Sequence, residues 1–355
     1  AATTNDLTNT ETQDPETILV TATRTERSIK SIPANPTVIT SEDIRKGGFT
    51  SAPEALQKKA GLHVRNFSDN PSRATVDIRG FGENSQGRVL VLVNGRRINR
   101  PDLGPVNWSQ VPMGNVERIE VVRGAQSALY GDYAVGGVIN IITRRGREEP
   151  QTEIAVTGGS HGFNDQTLST AGEYNGVGYA GSIGHQSSDG YRDRSSYETW
   201  SGSISMETDP REWLGTWLDY SYTDSEYDLP GPLNAAQVRQ DREQSVNPDD
   251  DAEETFHNVG FGFSLYPDDT REIVVETGFS QKDLESNIES FFIPSFNTWT
   301  IDTYSLSPKY IQSSSLFGMD NALTLGVDAS YDDLDIDLYG DRGHNIRNGS
   351  SKVEK

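Results

Sequence analysis

The side chains able to do chemistry in this 355-residue sequence are carboxylates and arginines, not thiols or paired imidazoles. There is no cysteine, which excludes a thiolate metal site, a cysteine nucleophile and a disulfide scaffold. His63, His161, His185, His257 and His344 show no metal-ligand spacing, no His-Glu-x-x-His occurs, and Ser127 lacks the Gly-x-Ser-x-Gly setting of a nucleophile elbow. Gly80 and Gly82 have no third glycine at dinucleotide spacing and no Gly-Lys-Ser/Thr after them. They read, with Gly124, Gly131, Gly136 and Gly137, as backbone turns rather than a phosphate loop. Two acidic sets could offer hard oxygen ligands to calcium: Asp249, Asp250 and Asp251, and Asp333, Asp335 and Asp337, the second at a period that shares one face of a strand. Neither has the EF-hand pattern, and solvated acidic loops are the plainer reading. No enzyme is expected.

The elements that must position these residues fall into two textures. The chain carries 31 Lys/Arg and 53 Asp/Glu, a net charge of −22. Residues up to Pro150 hold 19 basic and 17 acidic side chains, and those after it hold 12 and 36. A shift of that size marks a domain boundary, and three parts are expected: a flexible segment over 1–25, a compact unit over 26–148 and a third part over 151–355. The acidic excess argues against nucleic acid, whose phosphates need Lys/Arg. Apolar runs reach only about five residues, whereas a spanning helix needs about 20; a β-barrel, which crosses with short alternating segments, is not excluded.

Residues 1–15 are small and polar and read as disordered. A chain opening on Ala1-Ala2 is compatible with an exported protein whose signal peptide has been removed. Glu16-Thr17-Ile18-Leu19-Val20-Thr21-Ala22 is a β-favouring island on that tether, suited to adding a strand to a partner's sheet edge. Between 37 and 145 the pattern predicts an α+β unit. Its elements are a strand at Thr37–Thr40, a helix at Ser41–Lys46 and a second helix with Ser51 as N-cap and Glu54 completing a capping box. Strands follow at Thr75–Arg79, Arg88–Val93, Arg96–Ile98, Val116–Val122 and Gly137–Thr143, with an Asn94-Gly95 hairpin turn. After Pro150, about nine segments of roughly ten residues alternate apolar and polar, with aromatics near their ends (Tyr174, Trp200, Trp213, Tyr266, Tyr310). Short turns such as Asn175-Gly176 contrast with a long polar loop over 224–255, as in a membrane barrel.

Three blocks carry a resemblance: Val116–Gly124, Ser127–Gly131 and Ala134–Thr143. Together they resemble the plug signature of TonB-dependent outer-membrane transporters, and Ile78–Gly80 and Val91–Arg97 resemble two earlier plug motifs. Glu16–Ala22 resembles the TonB box, offered to the TonB protein. The resemblance covers the chain, is strongest over 16–145, and is nearest to cobalamin and siderophore receptors. It implies an α+β plug domain followed by antiparallel transmembrane β-barrel strands. Family barrels have about 22 strands, so about nine imply only the N-terminal portion of a barrel, with the remaining strands in further chain or a second chain. The segment 348–355 reads as a polar loop.

The resemblance also implies roles. Arg79, Arg118, Arg123, Glu117 and Glu120 would be buried inside a barrel and would anchor plug to wall. Asn66, Asn70, Asn84, Gln86, Arg100 and Trp108, on three outward plug loops, would hydrogen-bond to or stack on the ligand. The implied function is TonB-dependent import of a scarce metal chelate, a ferric siderophore or cobalamin, across the bacterial outer membrane, with lipid and lipopolysaccharide around the barrel. No cofactor would be required, with calcium in outer loops as an addition. The alternatives are import of another large chelate or cofactor, a surface signalling receptor or adhesin that uses the barrel for display without transport (an adhesin would need no TonB box), and a passive porin, which a folded unit ahead of the barrel would block.

Overall fold

A computed structural model describes residues 36–354 apart from 67–69, 102–103, 147–148, 290–293 and 317–318, and before them only the pairs 19–20 and 27–28. Those pairs, β1 (Leu19–Val20) and β2 (Arg27–Ser28), lie antiparallel.

The plug follows. Strand β3 (Pro36–Thr40) leads into α1 (Ser41–Gly47) and α2 (Ala52–Ala60), then β4 (His63–Arg65), β5 (Thr75–Asp77), β6 (Val89–Val93), β7 (Arg96–Arg97), β8 (Val116–Arg123), α3 (Ser127–Tyr130) and β9 (Gly137–Thr143). Its sheet has the order β3-β8-β9-β6-β7, with β6 and β9 parallel, while β4 and β5 form a separate hairpin. Continuous apolar runs such as Val89–Val93 suit strands covered on both faces. Ile39, Leu56, Ile119, Ile139 and Ile141 are fully enclosed, and Trp108 joins them. The expected capping box sits one helix earlier. Thr40 Oγ1 accepts from Asp43 N at 3.1 Å and Asp43 Oδ2 accepts from Thr40 N at 3.2 Å. Ser51 occupies the N-cap of α2 but makes no capping bond, because Glu54 accepts from Thr50 N instead.

The rest is one antiparallel sheet, the wall: β10 (Gln151–Gly158), β11 (Asn164–Tyr174), β12 (Val177–Ser188), β13 (Tyr197–Arg211), β14 (Leu214–Asp228), β15 (Asp251–Asp268), β16 (Arg271–Ile288), β17 (Ser295–Leu316), β18 (Met319–Gly326), β19 (Ala329–Tyr339) and β20 (Arg347–Glu354). That is eleven strands, not about nine. Two of them are halves of one: β18 and β19 pair with β17 in a single register, broken opposite Pro308. Proline has no N–H to give the ladder, and Val327 N instead donates to the Pro308 carbonyl at 3.1 Å. The segment read as a terminal polar loop is β20, paired with β19. The long loop is shorter than expected, because β14 and β15 run to Asp228 and from Asp251, and it holds a short helix, α4 (Ala235–Gln240).

Register explains the wall's two faces, since directly opposed residues share a face. Ile204, Tyr220, Val259, Phe279, Tyr304 and Tyr331 form one cross-strand row on the outer face. Nearer the long loops the same face carries Glu198, Glu226, Glu253 and Glu285 directly opposite one another. The inner face presents Asp219, Thr223, Ser225, Glu254 and Lys282, all buried. Among the described residues β10 and β20 are edges that do not pair with each other, so the sheet is open, and no helix is long and apolar enough to cross a membrane.

Candidate functional site: the seam between plug and wall

Two plug loops reach the wall through the same local device. Asn70 and Asn107 each begin an Asn-x-Ser turn. Asn70 Oδ1 accepts from Ser72 N (2.9 Å) and Oγ (2.6 Å), and Asn107 Oδ1 accepts from Ser109 N (2.9 Å) and Oγ (2.6 Å). An Asx side chain closing on the backbone two residues on is an intrinsic turn former. Trp108 Nε1 donates to the Ala74 carbonyl at 2.7 Å and binds the second turn to the end of the first.

Both turns then converge on Glu254 of β15, whose side chain is 2% exposed. Its Oε1 accepts from Tyr227 OH (3.0 Å), Lys282 Nζ (3.2 Å) and Arg73 Nη1 (3.4 Å), and its Oε2 accepts from Asn107 Nδ2. Arg73 also donates to the Tyr227 hydroxyl and lies 4.6 Å from that ring's centroid. A carboxylate taken out of water needs this many donors to offset its desolvation.

The other ion pairs across the seam are longer, and Thr223 Oγ1 also donates to the Ser109 carbonyl at 3.3 Å. At the β6–β7 turn, Asn94 and Gly95 take positive φ (49° and 79°). This aims Arg96 at Asp219 and Arg97 at Asp332, each at 3.6 Å. Burial lowers the Arg96 guanidinium from its ordinary value, and Asp219 and Glu276 oppose that shift. Arg96 lies across Gly260 of β15, where a Cβ would come within 0.9 Å of Nη1. Arg144–Glu153 and Arg145–Glu207 stand at 3.8 Å. Cavities of about 310 Å³ and about 770 Å³ lie between plug and wall beside this turn, and both are lined by Gly95, Tyr130 and Glu276.

The residues expected to anchor plug to wall do something else. Arg118 bonds Glu117 (2.5 Å) and the fully buried Glu120 (2.8 Å) on its own strand. Its guanidinium sits above the ordinary value: burial acts to lower it, but the two carboxylates outweigh that. Arg123 donates to Thr37 Oγ1 (2.7 Å) and the Ala60 carbonyl, and Arg79 is exposed with φ 70°. The physical reason is position: β8 is interior to the plug sheet, so its charges find partners inside the plug. The seam is held instead by Arg73, Arg96, Arg97 and Asn107, which sequence reading had not assigned to it. The repeated Asn-x-Ser was the signal available.

The six expected ligand residues divide. Asn66 and Asn84 are exposed, and Gln86 is half-buried. Arg100 is half-buried, with its carbonyl accepting from Tyr133 OH at 2.9 Å. Asn70 is a buried turn former, and Trp108, 4% exposed, belongs to the plug core, so its indole has no open face for stacking. Asp249, Asp250 and Asp251 do not converge as a metal site. Asp250 accepts from Asn247 (2.7 Å) and from Glu289 N (2.8 Å), Asp251 accepts from Asn287 (2.9 Å) and Arg342, and the Asp249 carbonyl accepts from Arg342. The second acidic set is also engaged: Lys352 lies 2.8 Å from Asp333 and 3.8 Å from Asp335, and Arg347 donates to Asp337. Among the described residues, the carboxylates that do converge are Asp224, Glu226 and Glu253, with ligand atoms within 4.8 Å of one another. Of the residues whose sequence resembles a TonB box, Leu19 and Val20 pair with Ser28 and Arg27. Glu16, Thr17, Ile18, Thr21 and Ala22 lie outside the described residues.

The structure thus fastens an α+β unit to the polar face of a sheet whose other face carries a row of apolar and aromatic side chains. The family model "TonB-dependent Receptor Plug Domain" matches residues 28–138, so this part of the chain is similar to the plug of TonB-dependent receptors, and the eleven-stranded sheet follows it. The vitamin B12 transporter BtuB of Vibrio cholerae is 36% identical over 160 residues, 45% of this chain and 26% of that protein. The chain therefore spans about a quarter of that relative's length. Among solved structures, the unliganded ferric citrate transporter FecA superposes with a TM-score of 0.80 at 22% identity, over 92% of this chain and 52% of that one. Pseudomonas aeruginosa FpvA bound to a ferric pyoverdine gives 0.79 at 16%, over 94% and 49%. At these identities the two structures speak to the fold.

Proposed function

We propose that the chain forms the plug and N-terminal wall of an importer that takes up a metal chelate, a ferric siderophore or cobalamin, across the bacterial outer membrane with energy from TonB. The observation that carries this reading is the seam. A folded plug is held on the polar inner face of the wall by a few ion pairs, most of them long, beside unfilled space. Such an interface holds at rest and yields to a pull. The apolar outer row supports a lipid environment, since a sheet face of that kind is stable in hydrocarbon. A display-only adhesin has no need of the segment at 16–22.

The ligand is a finer part of the proposal. Similarity to BtuB over 160 residues supports cobalamin, and the likeness of fold to FecA and FpvA does not choose among chelates. Calcium in the outer loops also stays a proposal, and at Asp250 and Asp251 it would have to displace the hydrogen bonds described above. The test deletes residues 1–25 from the complete natural protein in its bacterial host. Uptake of the chelate is expected to stop while surface binding persists; uptake at the wild-type rate would refute the reading.

A further inference from the structure

We infer that Glu254 is a positioning residue for the ligand-facing surface of the plug: one wall carboxylate fixes two Asn-x-Ser turns in register with each other and with the barrel. The inference rests on the importer reading for what that surface meets. Three observations carry it. The donors to Glu254 come from four separate places: Arg73 just after the first turn, Asn107 inside the second, Tyr227 on β14 and Lys282 on β16. The two turns lie in the loops that begin at the candidates Asn66, which is exposed, and Arg100, which is half-buried. Elsewhere across the seam the ion pairs stand at 3.6–3.8 Å, so this hydrogen-bonded node is the tight one.

A carboxylate that merely stabilised the wall would need only Tyr227 and Lys282. The plug donors give Glu254 a second role, because each turn closes locally on its own serine and that closure does not by itself set its distance from the other. Glu254 and the Trp108–Ala74 bond set it. Removing the carboxylate leaves Lys282 as a buried cation and the half-buried Arg73 without their partner, a costly state, whereas removing Lys282 leaves both turns attached.

The experiment uses the complete receptor in detergent, with hydrogen exchange as one readout and titration of cyanocobalamin and ferric citrate as the other. In Glu254→Gln, exchange is expected to rise about tenfold or more over 70–74 and 106–110 while β8 and β9 stay protected. Affinity for whichever probe the wild type binds should fall about tenfold. Lys282→Met should leave both turns protected. Should Glu254→Gln fail to fold, Asn107→Leu keeps the other three donors and is expected to loosen 106–110 alone, with weaker binding. Unchanged exchange in the turns, or loosened turns with unchanged affinity, overturns the inference. A wild type that binds no chelate at all counts against the importer reading instead, and the exchange arm then still decides whether Glu254 holds the turns.

Discussion

In the plug the large apolar side chains point inward, with Ile39, Leu56 and Ile119 wholly enclosed, whereas in the wall Ile154 and Val156 are 76% and 72% exposed and the buried positions include Asp219, Ser225 and Glu254 beside apolar ones such as Phe256 and Ile301. The same chain therefore follows two opposite burial rules, and the change falls near residue 150, where the net charge also swings from slightly positive to strongly negative. The comparison teaches that solvent, not composition, sets the pattern. The plug's periphery is polar and its interior dry; the wall's outer face suits lipid and its inner face suits a polar lumen. The seam between them is where two polar surfaces meet, so specificity there comes from charge pairs rather than apolar area.

The sharpest way to break this comparison is a matched pair of substitutions in the complete protein reconstituted in bilayers. Ile119→Ala should destabilise the plug by about 2–5 kcal/mol, as large-to-small changes in a packed core do. Phe261→Arg, on an exposed outer-face residue, should destabilise the wall by about 2–4 kcal/mol, because it puts a charge on the lipid face. Denaturant unfolding reads both, and a wall that tolerated the arginine as an ordinary water-facing surface does would end the lipid assignment.

A smaller effect sharpens the seam. Gly260→Ala places a methyl where the Arg96 guanidinium now lies. The long side chain can move away, so the sheet should lose little stability, but Asp219 loses its cation. Faster hydrogen exchange at 94–97 with an unchanged midpoint for the wall is the expected outcome. Equal protection in both proteins would mean that the contact with Asp219 does not hold the β6–β7 turn.

The smallest effect concerns the plug alone. Asp43 is held below its usual 3.8, first by the hydrogen bond from Lys59 and then, against some desolvation, by those from Thr40. A carboxyl whose folded value is depressed contributes stability that is present above its unfolded value and lost as pH falls through the folded one. Thermal unfolding of the wild type and Asp43→Asn should therefore differ at about pH 5 and converge towards about pH 2. Solvent screens this half-exposed pair, so a modest difference is expected.

Much of the plug was legible because its signals are local: an Asn-Gly turn, continuous apolar strands and motif blocks in order. The fully enclosed Glu120 was legible as a charge needing a partner, and it finds one in Arg118 two residues before it on the same strand. In the wall, alternation revealed strands wherever apolar residues marked one face. It failed for Arg347–Glu354, which has one large apolar residue, Val353, and is held as a strand by its neighbour β19. The break at Pro308 was visible in the sequence as a proline, but its consequence lies on the partner strand.

What the sequence determined by itself is the class: an α+β plug, then alternating strands, then the charge boundary between them. Period-2 patterning and turn chemistry act over a few residues, and a few residues are what a sequence displays. The tertiary structure decided which charges meet. Arg73, Asn107 and Glu254 are separated by 34 and 147 positions along the chain and are joined only because the wall's register turns Glu254 inward. A one-residue slip of β15 would turn it to the outer face. That long-range choice, made by pairing across eleven strands, is what placed a single carboxylate under both plug turns.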